Sequence, residues 1–170
     1  MNSIKKATGI ILLAFFAYNA AIAQENDSNL REEIMKEIVT EYYQKMDTLK
    51  GNFAEMSSVF NDNMIFHFPG VHAPMSVSEF QGPAQGIYAG FSDFKHTIED
   101  FIIEGNKVAC RLNITGTHNG TFQGIPASNK SIAINAITIF NIENNKLSEH
   151  WVSVDMLGLM AQIGAIPMGK

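Results

Sequence analysis

Two pairs of β-patterned segments in the second half of the chain constrain the fold most strongly. "KHTIEDFII" leads through Glu104-Gly105-Asn106 into "KVACRLNITGTH", and "SIAINAITIFNI" leads through Glu143-Asn144-Asn145 into "KLSEHWVSV". Short connections of this composition between such segments indicate β-hairpins. Residues 95–154 are therefore expected to form most of an antiparallel sheet.

The residues before these hairpins follow a helical pattern. Asn29-x-x-Glu32 is a capping box, which predicts that a helix begins there after a loose polar segment at 24–28. Gly51 is typical of a residue that ends a helix. One face of this helix carries apolar residues at helical spacing: Leu30, Ile34, Ile38, Tyr42, Met46 and Leu49.

Shorter elements complete the prediction. Asn52-x-x-Glu55 predicts a second, short helix with Phe53, Met56 and Phe60 on its apolar side. "NMIFHFPG" indicates a strand. The residues from Val71 to Phe94 are expected to form an irregular connection that could hold a lid or a short helix. Asp155 is expected to be the N-cap of a last helix, "MLGLMAQIG".

Helices followed by hairpins are typical of the α+β class. We predict a cone-shaped, curved antiparallel sheet with the N-terminal helices packed on its concave face. Where the long helix does not fill that curve, an apolar pocket is expected.

The N-terminus has the pattern of a secretory signal peptide. Lys5 and Lys6 precede an apolar run, and Ala21-Ile22-Ala23 is a small-x-small cleavage signal before Gln24. The sequence thus predicts a signal peptide at 1–23, a single domain at 24–170 and a periplasmic or secreted location. The alternative is an uncleaved anchor; after cleavage no membrane-spanning segment is expected, since a span needs about 20 apolar residues.

Charge and titratable residues restrict the partners. Removing the first 23 residues takes away two lysines and moves the net charge from −5 to −7, which argues against nucleic acid or an anionic membrane as a partner. The single Cys110 lies in an apolar strand and is expected to be a buried, inert thiol. The five histidines lack metal-ligand spacing, so no metal site is predicted.

Alternation along residues 107–118 places one histidine at the end of an apolar face. Val108, Cys110, Leu112, Ile114 and His118 share that face. We therefore expect His118 at the lip of the pocket. The segment Ser131–Phe140 is apolar on both faces, which predicts a cover on each side and, on the outer side, a second subunit of a homodimer.

Two stretches resemble a known family. "GTHNGTFQGIPASNKSI" and "FNIENNKLSEHWVSVDMLGLMAQIG" are similar to the SnoaL-like polyketide cyclases, also called ester cyclases, of the nuclear-transport-factor-like superfamily. "GFSDFKHTIEDFIIEGNKV" is similar to a further family segment, with Ser92 where proline is usual. The resemblance covers about Phe80 to Pro167.

The resemblance implies aldol-type cyclisation or isomerisation of a small apolar carbonyl or polyketide-like compound by acid–base side chains, with no cofactor. An enzyme of this kind is favoured; the alternatives are an exported module that binds a small lipophilic ligand without catalysis and an interaction domain. Such chemistry needs a group that moves a proton and donors that hold the enolate charge.

The family pattern also selects site residues. His150 falls on a pocket-lining histidine, whereas the family's acid/base aspartate falls on Val152, and two further positions carry Ala136 and Thr138. Either the acid–base chemistry depends on His150, His118 and Asp155, or the protein catalyses a different reaction, or it catalyses none. The substrate-binding candidates, for each of which core packing or an interface is the alternative, are His67, Tyr42, Phe66, Ile114, Thr138 and Trp151.

Overall fold

The protein was analysed as a computed structural model that describes residues 2–167, with side chains from Tyr18 onward. The chain divides into two compact units, one ending at Ile34 and one beginning at Met35. The side chains of Lys5 and Lys6, and the predicted domain end at Lys170, lie outside what is described. Cleavage after Ala23 stays a prediction.

Helix α1 spans Asn2–Leu49, so the prediction that a helix begins at Asn29 after a loose segment is wrong. The physical reason is composition: residues 10–50 contain neither glycine nor proline, so nothing interrupts the backbone hydrogen bonds at 24–29. The predicted end is confirmed, because Gly51 follows with φ of 73° and its N–H donates to the carbonyl of Met46.

The residues after α1 differ from the prediction in two places. The expected second helix is only a 3₁₀ turn at Phe53–Glu55, and Phe60 begins strand β1, Phe60–His67. The connection expected to be irregular contains β2, Met75–Ser76, and a 14-residue helix α2, Val77–Gly90. Ser76 and Glu79 form a capping box there, which starts the helix.

Both hairpins and the last helix are confirmed. Strands β3, Lys95–Glu104, and β4, Lys107–Thr117, form the first hairpin, and β5, Ser131–Glu143, and β6, Lys146–Val154, form the second. Helix α3, Met156–Ile163, follows Asp155. The curved, unclosed sheet has the order β2-β1-β6-β5-β4-β3, and it is mixed rather than purely antiparallel because β1 pairs with β6 in parallel.

Alternation along the strands separates a buried face from an exposed one. On β5 the even-numbered residues 132–142 are buried, and the odd-numbered side includes Ile137 and Ile139, which are 49% and 38% exposed. The buried face packs against Val39, Tyr42, Tyr43 and Met46 of α1. The α+β fold predicted from the sequence is thus confirmed.

Among the described residues, no helix combines the length and the apolar character that a membrane crossing requires.

Candidate functional site

A cavity of about 290 Å³ lies between α1, α2, α3 and the buried face of β4, β5 and β6. Its wall is mostly apolar, with Leu112, Ile114, Ile134, Ala136 and Val152 contributed by the sheet. No lysine, arginine, aspartate or glutamate belongs to the described wall, so an uncharged ligand suits it. The polar groups in the wall are Tyr42, Tyr43, Tyr88, His96, Gln123, Thr138 and His150.

His150 is 5% exposed and stacks on Phe140, with ring centroids 4.3 Å apart. Its Nδ1 lies 3.4 Å from the hydroxyl of Tyr42, and its Nε2 is buried without a partner in the described part of the chain. Burial, with smaller contributions from the charges of His96 and His67, lowers the pKa of His150 to about 3. The imidazole is therefore neutral at physiological pH.

Tyr42 and Tyr43 supply buried hydroxyl groups to the same wall. The Tyr43 hydroxyl donates to Thr138 Oγ1 at 2.9 Å, and Thr138 in turn hydrogen-bonds the thiol of Cys110. Burial raises the pKa of both tyrosines well above the usual value for tyrosine. Both phenols therefore remain protonated donors.

A second histidine in the wall is paired with a carboxylate. His96, at the start of β3, has its Nδ1 2.7 Å from Oδ1 of Asp47, and its backbone N–H donates to Oδ2 of Asp47 at 2.9 Å. The hydroxyl of Tyr88 donates to the same Oδ1 at 2.9 Å. Asp47, His96 and Tyr88 come from α1, β3 and α2, so three elements meet at this carboxylate.

This cluster is what the sequence analysis missed. Asp47 and His96 are 49 positions apart, and no spacing rule connects them. The signal available was weak: Asp47 places a negative charge in the last turn of a predicted helix, where the helix dipole disfavours it. Such a residue needs partners elsewhere in the fold.

His118 is completely buried but does not belong to the cavity wall. Its Nδ1 accepts from the backbone N–H of Ser128 at 3.2 Å, and its own N–H and C=O bond Lys130 and Asn129. The histidine ties the 118–130 loop to the end of β4. The predicted catalytic role of His118 gains no support from this position.

Asp155 acts as the N-cap of α3, as predicted: its Oδ1 accepts from the N–H of Gly158 at 2.7 Å. The carboxylate is not part of the described cavity wall. Its predicted catalytic role therefore stays untested and lacks a geometric basis.

The six predicted substrate-binding residues separate into two groups. Tyr42, Ile114 and Thr138 line the cavity. Phe66 is buried in the core and stacks on Phe80 instead. His67 and Trp151 stack on each other, with ring centroids 4.8 Å apart, and His67 pairs with Glu149 at 3.3 Å; neither ring belongs to the cavity wall.

Among the described residues, no group of three or more histidine, cysteine, aspartate or glutamate side chains is arranged to hold a metal ion.

Comparison with known proteins agrees with this architecture. A family model for SnoaL-like polyketide cyclases matches residues 38–163. IdmH of Streptomyces antibioticus, a candidate polyketide cyclase, is 22% identical with a TM-score of 0.68 over 76% of this chain and 98% of its own. A candidate polyketide cyclase from Bacillus cereus is 28% identical with a TM-score of 0.64 over 78% of this chain and 82% of its own.

A SnoaL-like polyketide cyclase from Agrobacterium tumefaciens is 18% identical with a TM-score of 0.61, covering 76% of this chain and 98% of its own. No match was found among curated protein sequences. Because the family model covers well over half of the sequence, including every strand of the two hairpins, the chain belongs to the SnoaL-like polyketide cyclase family.

Proposed function

We propose that this protein catalyses cofactor-independent acid–base chemistry, enolisation followed by isomerisation or aldol-type cyclisation, on a small uncharged carbonyl compound. The observation that carries this proposal is an apolar cavity whose described wall contains histidine and tyrosine groups but no permanently charged side chain. Such a wall favours an apolar ligand and concentrates its polar contacts on a few groups, which suits chemistry at one oxygen and one proton.

The cavity volume supports a compact ligand. The volume of about 290 Å³ lies at the lower end of the range for small-molecule sites, about 300–1,000 Å³. We therefore propose a ligand of one or two fused rings.

The state of the polar groups supports the electrostatic part of the reaction. Enolisation places negative charge on the carbonyl oxygen, and donors already fixed in a dry site stabilise that charge efficiently. Tyr42 offers such a donor, since burial keeps its hydroxyl protonated. Its bond to His150 is long, at 3.4 Å, so the hydroxyl exchanges that partner for a ligand oxygen at small cost.

The proposal is tested with 2-tetralone, a neutral bicyclic ketone with acidic hydrogens beside its carbonyl group. We expect saturable binding and, in D₂O, catalysed exchange of those hydrogens for deuterium, followed by proton NMR. Saturable binding without exchange would support the alternative, a module that holds a lipophilic ligand without catalysis. Absence of both would contradict the proposal.

A matched pair of variants checks that the cavity is responsible. Ala136 and Ala133 lie on β5 with opposite orientation, one in the cavity wall and one exposed. Ala136→Phe should fill the cavity and abolish binding and exchange, whereas Ala133→Phe should leave both unchanged. Equal effects of the two substitutions would show that binding occurs elsewhere.

We propose in addition that the outer face of the sheet forms a homodimer. Cα pairing aligns Ile102, Ala109, Ile139 and Trp151 in a row across four strands, and Ile102 is 68% exposed. Apolar residues in such a row favour association. Light scattering of the wild type should give twice the mass of one chain, and the Ile139→Glu variant should give the mass of one chain. A wild-type monomer at micromolar concentration would contradict the dimer.

A further inference from the structure

We propose that Asp47 and His96 form the proton-transfer unit of this cavity: Nε2 of His96 takes the proton from the carbon next to the ligand's carbonyl group, and Asp47 holds the imidazole in the tautomer that accepts it. The assignment rests on the proposed function, for which it names the base. It also replaces His150, which the family resemblance favours, as the proton acceptor.

Hydrogen bonding defines the tautomer of His96. Asp47 receives three donors, namely the Nδ1 and backbone N–H of His96 and the hydroxyl of Tyr88, at 2.7, 2.9 and 2.9 Å. A carboxylate only accepts hydrogen bonds, so Nδ1 of His96 carries a hydrogen, and in the neutral imidazole Nε2 therefore keeps its lone pair. This is the arrangement that a histidine base requires.

Accessibility separates His96 from His150. The buried side-chain nitrogens and oxygens without a partner, among the described residues, are Nε2 of His118 and Nε2 of His150. Nε2 of His96 also makes no hydrogen bond to a described residue, but this atom is not fully buried. The His96 side chain is 12% exposed. His96 belongs to the wall of the cavity, and its side chain is not completely buried.

Basicity points in the same direction. His150 has its pKa lowered to about 3 by burial and by the charges of His96 and His67, and such a weakly basic nitrogen is a poor proton acceptor at neutral pH. Asp47 and Tyr43 of α1 contact His96 directly, Tyr88 of α2 shares the carboxylate, and His150 of β6 is close enough to interact by charge. Lys50, Asp93 and Lys95 line an outer groove with the same histidine. Asp47 is the carboxylate in direct contact with the ring, and it stabilises the imidazolium that forms after transfer.

The placement of Asp47 argues for more than a structural tie. The residue lies in the last turn of α1, where the helix dipole disfavours a carboxylate. The backbone N–H of His96 already joins Asp47 of α1 to β3, and the hydroxyl of Tyr88 already joins it to α2. The additional bond to the imidazole ring orients a side chain of the cavity wall.

The chemical step balances without any further reagent. Nε2 of His96 forms an N–H bond with the hydrogen of the ligand carbon, and the electron pair of the broken C–H bond becomes the C=C bond of an enolate. The carbonyl π pair moves to oxygen, which accepts a hydrogen bond from the hydroxyl of Tyr42. Return of the proton from His96, or of a deuteron from D₂O, restores the ketone.

The test compares 2-tetralone exchange in two test variants and two control variants. His96→Gln should lower the exchange rate per folded molecule by ~10²–10⁴-fold, the usual contribution of a positioned base. Asp47→Asn should lower it at least ~10-fold, because the amide no longer selects the accepting tautomer. His72→Gln, in an exposed loop, and Glu149→Gln, which removes the carboxylate beside His67, should leave the rate unchanged.

A spectroscopic measurement reads the positioning role of Asp47 independently of activity. Nitrogen-15 NMR of the folded wild type should show His96 protonated at Nδ1 and unprotonated at Nε2, and Asp47→Asn should change that tautomer distribution. Protonation of wild-type His96 at Nε2 alone would overturn the inference.

The outcomes distinguish the two proposals. If wild type exchanges 2-tetralone and His96→Gln exchanges equally fast while His150→Phe is inactive, the assignment of His96 is wrong and the proposed function stands. If wild type binds 2-tetralone without exchange, both the assignment and the catalytic function fail and the binding module remains. Loss of exchange in His96→Gln with unchanged folding supports both.

Discussion

His118 and His150 are two buried histidines on the same side of the sheet, yet they meet different surroundings. His118, just beyond the end of β4, accepts from a backbone N–H of the loop that follows it. His150, in the middle of β6, meets the hydroxyl of a tyrosine and a cavity wall. Each has an Nε2 buried without a described partner.

The difference teaches that burial alone does not separate a histidine held by its own loop from one that faces a cavity. The partners of Nδ1 make that distinction: in His118 this nitrogen lies 3.2 Å from the backbone nitrogen and 3.1 Å from the hydroxyl of Ser128, so two groups of its own loop hold the ring. A long bond to a side-chain hydroxyl, as at His150, can be exchanged for a ligand. Three predictions break or sharpen this comparison.

The largest effect concerns pH. Because the pKa of folded His150 is about 3 and that of an unfolded histidine is ~6.5, the unfolded chain binds the proton more readily between these values. Protonation of His150 in the unfolded chain should therefore lower the free energy of unfolding by about 3 kcal/mol when the pH falls from 7 to 4. Urea denaturation at both pH values measures it.

His150→Phe keeps a flat ring on Phe140 and removes the titration, so its stability should depend less on pH in that window. His72→Gln, at an exposed position, is the control and should retain the wild-type slope. An identical slope in His150→Phe would show that His150 is not the group responsible.

A smaller effect is expected at the loop. His118→Ala should lower the free energy of unfolding by about 2 kcal/mol, because the backbone N–H of Ser128 loses its acceptor. Affinity of the folded protein for 2-tetralone should not change. Weaker binding by a variant of unchanged stability would return His118 to the ligand site.

The smallest effects separate two neighbouring phenols. Tyr43→Phe removes a 2.9 Å bond and leaves Thr138 without its donor, which should cost about 1 kcal/mol. Tyr42→Phe removes only the 3.4 Å contact with His150 and should cost about 0.5 kcal/mol. Thermal unfolding of both variants measures these losses of stability. A larger loss in Tyr42→Phe than in Tyr43→Phe would mean that the hydroxyl of Tyr42 makes the stronger hydrogen bond.

The fold was largely predictable because its main signals are local. Alternation along 107–118 identified Cys110, Leu112 and Ile114 as buried, and Asn144 with Asn145 marked a turn whose residues indeed have positive φ. Helix α2 was not recognised because Gly82, Pro83 and Gly86 interrupt its pattern. Its capping box, Ser76 with Glu79, was the available signal.

The site was only partly predictable because it depends on contacts between distant segments. The family resemblance placed His150 and Thr138 in the cavity, and strand alternation placed Ile114 there. Tyr42 was a candidate from its position on the predicted helix. Asp47 and His96 come together only when the end of α1 meets the start of β3. A rule based on spacing along the chain has no access to that contact.

Cys110 lies at the end of the hydrogen-bond chain that begins at Tyr43 and passes through Thr138. The thiol is buried, and that burial, only partly offset by the bond to Thr138, raises its pKa to about 12. Alkylating reagents react with thiolates, so the folded protein should resist iodoacetamide until the sheet opens. The sole cysteine of the chain is thus a built-in reporter: the rate of its alkylation measures how often the core is exposed to water.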